Sequence, residues 1–583
     1  MLGLSDTFLR KKISSITLKI KHKMYLITCR ISLFALYFLC STTIFASTPI
    51  HLTEIDTGFI QGYVRNVASE KKVIEYRGIP YAKNPTGLLR WSLPQPALPW
   101  KGIFDAKEFG PACPQVSRYN LTDSSIEEDC LSINVSSPAD IRMGEKLPVF
   151  FWIHGGAFVG GASNLYRLDK LASEGRMVVV SANYRLGVLG FVPLPGLANE
   201  AVNGNFGIED QREALRWIKR NISSFGGNPD NVTLSGESAG GASVCLHLSS
   251  PDQVKGLFHQ AMIISAGCLA PLKTTPEAIN TIGKVITKNL GCPENEDLKC
   301  LRSKSVAEIL IAQTKFADEH PTDLALYAPT SGTPSHPNST IPTSVADALN
   351  RVNGGKFSTI PLVIGGMEKE LLLYVGYWWQ DALAGKGPSL DNKTINSLWL
   401  KNFYGPHANA VAIKYGFTHP KVGAHKLGEA LSDFNPKLGI NNCLFYRTAD
   451  KIINYPSAQP TYLFEFADPN ALVKGVGIMP PYPDFPLGPV HSTIINYLFP
   501  NFSNNKKINA PDLIPSSQAL AHQITQYLSA FASTGQPKVS NSLVWPAYKN
   551  SGDVFKFAPG KVGPFNGGEA HNCNWWKTLY PNP

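Results

Sequence analysis

The chain has 583 residues, is 43% hydrophobic and carries a formal charge of +10 at pH 7. That length leaves ample apolar material for a large core. The charge does not indicate nucleic acid: residues 1–46 supply six of the ten net charges, from seven basic side chains against Asp6, and the rest is ordinary for a body this size.

The leader combines a basic stretch ending at Arg30 with the apolar run Ile31 to Ala46 and a Ser-Thr-Pro boundary. This is the layout of a signal peptide, spanning 1–46 or beginning at Met24. The apolar run is short for a membrane span of about 20 residues; the alternative, an uncleaved N-terminal anchor, is the only membrane contact expected. The chain is therefore expected to be exported, either secreted or periplasmic. At roughly 150 residues per domain the length allows three or four domains. No Gly/Ser tract, long charge run or internal repeat marks a boundary, so 47–583 reads as a single domain with long insertions.

In chain order, GFIQGYV from Gly58 and KKVIEY from Lys71 read as a hairpin of edge strands, followed by irregular structure to about Pro114. Leu147 to Ile153 and Met177 to Ala182 are continuous apolar runs, as strands buried on both faces of a parallel sheet require. Ile208 to Ser224 has helical spacing, with Leu215, Ile218 and Ile222 on one face. Asn231 to Ser235 is a strand, Ser238 to Leu248 a helix of small residues, and Ala261 to Ser265 another strand. Ile360 to Ile364 and Thr461 to Phe466 read as further strands, and Gln518 to Phe531 as a closing helix. Residues 271–358 carry little pattern and read as insertional. Alternating strands and helices predict a doubly wound α/β architecture, with a large, mostly parallel sheet and helices on both faces.

Ten cysteines occur, two of them (Cys29 and Cys40) in the leader. An exported chain can oxidise the other eight. Cys113 and Cys130, and Cys292 and Cys300, are each near enough in sequence to close a small loop, although spacing does not fix connectivity. Cys245 lies in an apolar helical stretch and reads as a buried thiol. No C-x-x-C pair is present, so no metal site is expected. Seven N-x-S/T sequons occur, at Asn120, Asn134, Asn221, Asn231, Asn338, Asn392 and Asn501.

Gly236-Glu237-Ser238-Ala239-Gly240 fits G-x-S-x-G between a strand and a helix, the context of a nucleophile elbow. His154-Gly155-Gly156-Ala157-Phe158 follows the apolar strand upstream, where a hydrolase places its oxyanion loop. The backbone N–H groups of Gly156, Ala157 and Ala239 are the candidate oxyanion donors.

These motifs, with YRGIPYAKNPTGLLRW, FGPACPQ, EEDCLSINV, FFWIHGGAFVGG, VVVSANYRLGVLGF, the long run GNFGIEDQ to GGASV, FASTGQP and VWPAY, make the chain resemble the type-B carboxylesterases of the α/β-hydrolase superfamily, the group that includes cholinesterases. The resemblance spans about Thr57 to Cys573 and is tightest in the first half. It implies the α/β-hydrolase fold and a serine hydrolase acting on carboxylic esters, of short to medium acyl or aryl type, through an acyl-enzyme. It implies no cofactor and a small-molecule ester as the partner. The family's triad order is Ser, Glu, His, which implies Ser238, Glu370 and His491 as the catalytic residues. The acid segment departs from the family pattern, since Lys369 replaces an acidic neighbour and Leu371 a glycine, and Glu368 remains a competitor. Ile494 stands where the family often has a Glu, and Ala157 where many members have glycine. The family also implies disulfides Cys113–Cys130 and Cys292–Cys300, with Cys443–Cys573 as a weaker third.

Of the other histidines, His247 reads as a packed core residue and His522 as a side chain of the closing helix. The resemblance implies that a choline-ester site would carry a Trp between this first pair of cysteines, for a cation–π contact; the loop between Cys113 and Cys130 has Tyr119 but no Trp, against that substrate class. Tyr374, Tyr377, Trp378 and Trp379 form an aromatic cluster that fits either a substrate pocket or core packing. A long-chain lipase and a non-catalytic binding protein are the remaining rivals.

Overall fold

The apolar run Leu147–Ile153 shows how the fold is organised. Phe150 and Trp152 point into one hydrophobic core, while Val149, Phe151 and Ile153 point into a second on the opposite face. A strand with both faces covered needs apolar residues at every position, which is why no alternation is visible in its sequence. Complete burial of each such side chain contributes roughly 1.5–3 kcal/mol.

The computed structural model describes residues 50–581 except 68–70, 118–123, 198–201, 294–297, 321–322, 324, 334–339, 418, 420–422, 479 and 504–509. The leader, Tyr119 and the sequons at Asn120 and Asn338 lie outside the described residues. Residues His51–Pro583 form one compact unit.

Thirteen strands make one sheet: β1 (Ile50–Ile55), β2 (Gly58–Asn66), β3 (Lys72–Pro80), β4 (Ile103–Asp105), β5 (Ser132–Pro138), β6 (Leu147–Ile153), β7 (Val178–Ala182), β8 (Gly227–Glu237), β9 (Gln260–Ile264), β10 (Leu362–Met367), β11 (Thr461–Phe466), β12 (Val554–Phe557) and β13 (Gly563–Phe565). Their order is β1-β2-β3-β5-β7-β6-β8-β9-β10-β11-β12-β13, with β4 beside β2. From β7 to β12 every neighbouring pair is parallel. The pairs β2–β3, β3–β5, β5–β7 and β12–β13 are antiparallel. The expected hairpin is β2–β3, although β1 lies outside it. Six helices matter for the site: α1 (Phe206–Asn221), α2 (Ala239–Leu248), α3 (Val306–Asp318), α4 (Leu372–Leu383), α5 (Asn442–Ile453) and α6 (Pro515–Thr534). Leu215 and Ile218 of α1 cover one face of the sheet, and Leu520, Ile524 and Phe531 of α6 the other.

The segment 271–358 is more structured than its sequence suggested. It contains α3, whose start is fixed by a capping box in which Ser305 and Glu308 satisfy each other's backbone N–H groups. Among the described residues no helix is long and apolar enough to cross a membrane.

Among the described residues four disulfides are present, Cys113–Cys130, Cys245–Cys268, Cys292–Cys300 and Cys443–Cys573. Cys245 is therefore not a free thiol. It lies on α2, which follows β8, while Cys268 follows the neighbouring strand β9; adjacent parallel strands deliver the two Cα atoms to 5.3 Å. Asn134 and Asn221 are no candidates for glycosylation once folded. Both are buried, with Asn134 donating to Ser163 and Ser181 and Asn221 to the Trp217 carbonyl.

Cys443–Cys573 closes a loop with a sequence separation of 130, against 8 for Cys292–Cys300. Loop-closure entropy then predicts a loss of about 5 kcal/mol for the double variant Cys443→Ser/Cys573→Ser, and about 2.5 kcal/mol for Cys292→Ser/Cys300→Ser. Denaturant titrations of the two variants check this; a larger loss from opening the short loop would contradict it.

Candidate active site

β8 ends at Glu237 and α2 begins at Ala239, so Ser238 has to reverse the chain alone. It does so at φ 57°, ψ −123°, a conformation that side chains avoid and that costs on the order of 1–3 kcal/mol. Two backbone hydrogen bonds hold it there, from Ser238 N–H to the Ile264 carbonyl and from Ala242 N–H to the Ser238 carbonyl, both at 2.9 Å. Gly240 is required by close approach, since a Cβ there would stand 2.1 Å from the Ile153 carbonyl oxygen. The turn raises the Ser238 hydroxyl over the N-terminus of α2, whose partial positive charge favours a developing anion.

His491 arrives on the loop before a short helix at Ile495–Leu498. Its Nε2 lies 2.9 Å from Ser238 Oγ, and its Nδ1 lies 2.7 Å from Glu370 Oε2. The other Glu370 oxygen accepts the Met367 N–H at 2.7 Å. The histidine and acid loops are also joined through their backbones. Lys369 N–H donates to the Pro489 carbonyl and His491 N–H to the Glu370 carbonyl. Further out, Asn442 at the start of α5 donates to the carbonyls of Met367 and Glu368, and Ser432 Oγ accepts the Leu371 N–H.

The competing acid points elsewhere. Glu368 Oε1 pairs with Lys556 Nζ at 3.2 Å and its side chain is 35% exposed, whereas the Glu370 side chain is completely buried.

A second buried carboxylate, Glu237, lies 3.4 Å from His491 Nε2 and accepts a hydrogen bond from Ser492 Oγ at 2.7 Å. Burial pushes its pKa up to about 6, against the opposing pull of His491 and of the Ser492 hydroxyl. Burial by itself lowers the His491 pKa, but the charges of Glu237 and Glu370 outweigh it and raise the imidazole above its ordinary 6.5. Sequence reading treated Glu237 as the free position of G-x-S-x-G and overlooked Ser492. The only signal was a carboxylate inside an otherwise small, apolar motif.

Gly156 (φ 114°) and Ala157 (φ 53°) both adopt left-handed backbone. Gly156 and Ala157 line the same cavity as Ser238, and among the described residues the N–H groups of Gly156, Ala157 and Ala239 make none of the turn, loop or cap hydrogen bonds to backbone carbonyls. Gln115 clamps the loop from outside, its amide exchanging two hydrogen bonds with the Gly161 backbone at 2.9 and 3.0 Å. The clamp is anchored beside the Cys113–Cys130 disulfide. It too went unnoticed in the sequence, where Gln115 is one polar residue in an irregular stretch.

Ser238, His491, Glu237, Ser492, Gly156 and Ala157 open into a cavity of about 330 Å³ with largely apolar walls, including Val159, Leu165, Leu326, Leu373 and Ile495. The aromatic cluster after Glu370 divides between the two roles expected for it. Tyr374 and Tyr377 line the cavity, with the Tyr374 ring 5.7 Å from that of His491. Trp378 instead stacks in the core on Trp399 and Phe403, and Trp379 packs against that core. His247 is a core residue, fully buried and hydrogen-bonded to Gln211, and His522 is an exposed neighbour of Glu174.

A model of the carboxylesterase family matches residues 49–576. The para-nitrobenzyl esterase of Bacillus subtilis is 32% identical over 499 residues, covering 82% of this chain and 90% of its own. The acylcarnitine hydrolase of Mus musculus is 31% identical over 536 residues, covering 86% of each chain. Among solved structures, a thermophilic PNB esterase superposes with a TM-score of 0.71 at 28% identity, covering 91% of this chain and 100% of that one. With an elbow serine, an α/β-hydrolase sheet and a family match along nearly its whole length, this chain belongs to the carboxylesterase family.

Proposed function

We propose that Ser238, His491 and Glu370 hydrolyse carboxylic esters through an acyl-enzyme. The observation that carries this reading is the unbroken line from Ser238 Oγ through both His491 nitrogens to Glu370, opening into the cavity. A serine hydroxyl is a weak nucleophile at neutral pH and needs an adjacent base. His491 Nε2 takes the Ser238 proton as Oγ attacks the ester carbonyl, then returns it to the departing alcohol oxygen. Glu370 keeps the imidazole proton on Nδ1 and stabilises the imidazolium that forms. The N–H groups of Gly156, Ala157 and Ala239 receive the tetrahedral oxyanion, where loss of one donor costs roughly 3 kcal/mol. Water, deprotonated by the same histidine, releases the acid and restores Ser238.

The cavity size suits short to medium acyl or aryl esters. The name of the Bacillus subtilis relative, para-nitrobenzyl esterase, gives esters of a benzylic alcohol as that protein's substrates. Four disulfides accord with an oxidising compartment and so with export of the chain.

Hydrolysis of p-nitrophenyl butyrate, followed across pH, tests the proposal. Only neutral His491 can accept the serine proton, so kcat/KM of the free enzyme rises with pH as the imidazolium is lost. The flanking carboxylates stabilise that imidazolium, so the midpoint is expected above 6.5. Absence of hydrolysis at any pH would overturn the function; a midpoint below 6.5 would overturn the electrostatic account of His491.

A further inference from the structure

The cavity contains a polar group for which the triad chemistry has no use. Gln313 on α3 forms part of the cavity wall and is only 6% exposed. Its Oε1 accepts the Val188 backbone N–H at 2.8 Å. An N–H can be met only by the oxygen end of a carboxamide, so this bond fixes which way the amide faces. The side chain has little freedom to turn. Its head sits against Gly187, where a Cβ would stand 1.9 Å from Oε1, and the main-chain carbonyl of Gln313 accepts the Tyr327 hydroxyl at 2.6 Å, which holds this turn of α3 in place.

The Nε2 end is therefore turned away from Val188. Among the described residues it has no acceptor, yet it is not sealed in protein, which leaves the cavity as the space it faces. A ligand that displaces water from this NH₂ without offering an acceptor leaves a buried donor unpaired, and that is costly. The rim adds a constraint on charge. Asp318 and Asp323 are exposed there, with Lys273 3.7 Å from Asp323, so an anionic acceptor would meet net negative charge on entry.

We propose that Gln313 is a specificity-determining hydrogen-bond donor, and that the preferred substrates are esters bearing a second, uncharged acceptor (a ketone, ether or amide oxygen) away from the scissile carbonyl. The proposal rests on Ser238 being the nucleophile of this cavity. It explains why a largely apolar pocket holds a buried carboxamide by its oxygen and leaves its nitrogen unpaired. A site built to bond a polar atom rejects the analogue that lacks it more strongly than an apolar pocket discriminates between chain lengths.

The test uses p-nitrophenyl esters in which a ketone is walked along the acyl chain, and the matching series of alkyl esters in which an ether oxygen is walked along the alcohol chain. Each is compared with its all-methylene counterpart. At one position the enzyme is expected to favour the oxygen-bearing ester by about tenfold in kcat/KM, the worth of one neutral hydrogen bond. Gln313→Glu keeps an oxygen for Val188 N–H but replaces the cavity-facing NH₂ by a second acceptor, so this preference is expected to disappear or invert. The ratio is taken within one enzyme, which removes any general change in activity. If no position is favoured by the wild type, the proposal fails without recourse to a variant. It fails equally if Gln313→Glu retains the preference. If the wild type hydrolyses none of the esters, the failure is that of the ester-hydrolase reading itself.

Discussion

Glu370→Gln is expected to lower kcat by about 10⁴-fold, the scale seen when a triad acid is made neutral with its geometry intact. The glutamine can still accept the Met367 N–H through its oxygen, so the loop keeps its shape. What remains to face His491 Nδ1 is an NH₂. It forces the imidazole into the tautomer with its proton on Nε2, which cannot accept a proton from Ser238. Glu368→Gln is the matched control, because Glu368 is bonded to Lys556 and has no contact with His491. Its kcat should stay within about threefold, as for other partly exposed ion pairs. The comparison is kcat for p-nitrophenyl butyrate in the two variants, with denaturation midpoints to verify folding. A large loss in Glu368→Gln with a small one in Glu370→Gln would reverse the assignment.

The two carboxylates show where sequence reading stops. They lie two residues apart after the same strand, and nothing local distinguishes them except a family pattern that this chain breaks at Lys369 and Leu371. The choice is made by a distant contact. The backbone of Lys369 and Glu370 pairs with that of Pro489 and His491, and that pairing turns Glu370 inward and leaves Glu368 beside Lys556. By contrast, the elbow at Ser238 was legible because it is specified locally, by a strand, two tightly packed glycines and a helix start.

The same division runs through the fold. β6 and β7 announce themselves as apolar runs because both of their faces are buried. β5 is equally buried, but its sequence SINVSSP is polar, with Asn134 satisfied by Ser163 and Ser181 across the structure. β12 and β13 are only four and three residues long, too short to show a period. Cys245 was misread because a small apolar helix residue looks alike whether it packs or bonds. Its partner is supplied by the order of β8 and β9 in the sheet. The helix bearing Gln313 carries a Ser305–Glu308 capping box that could have marked its start, but it lay in a stretch with little pattern whose second half is rich in Pro and Ser.

The central claim is that Ser238 is the nucleophile, and the most direct test is to trap it. A fluorophosphonate ester that mimics the tetrahedral intermediate should attach once per chain, at Ser238 as located by peptide mass spectrometry, and abolish hydrolysis of p-nitrophenyl butyrate in proportion to labelling. Ser238→Ala should take up no label and lose about 10⁶-fold in kcat, the scale of removing a triad nucleophile. Labelling at another residue, or hydrolysis that survives in a folded Ser238→Ala variant, would contradict the account.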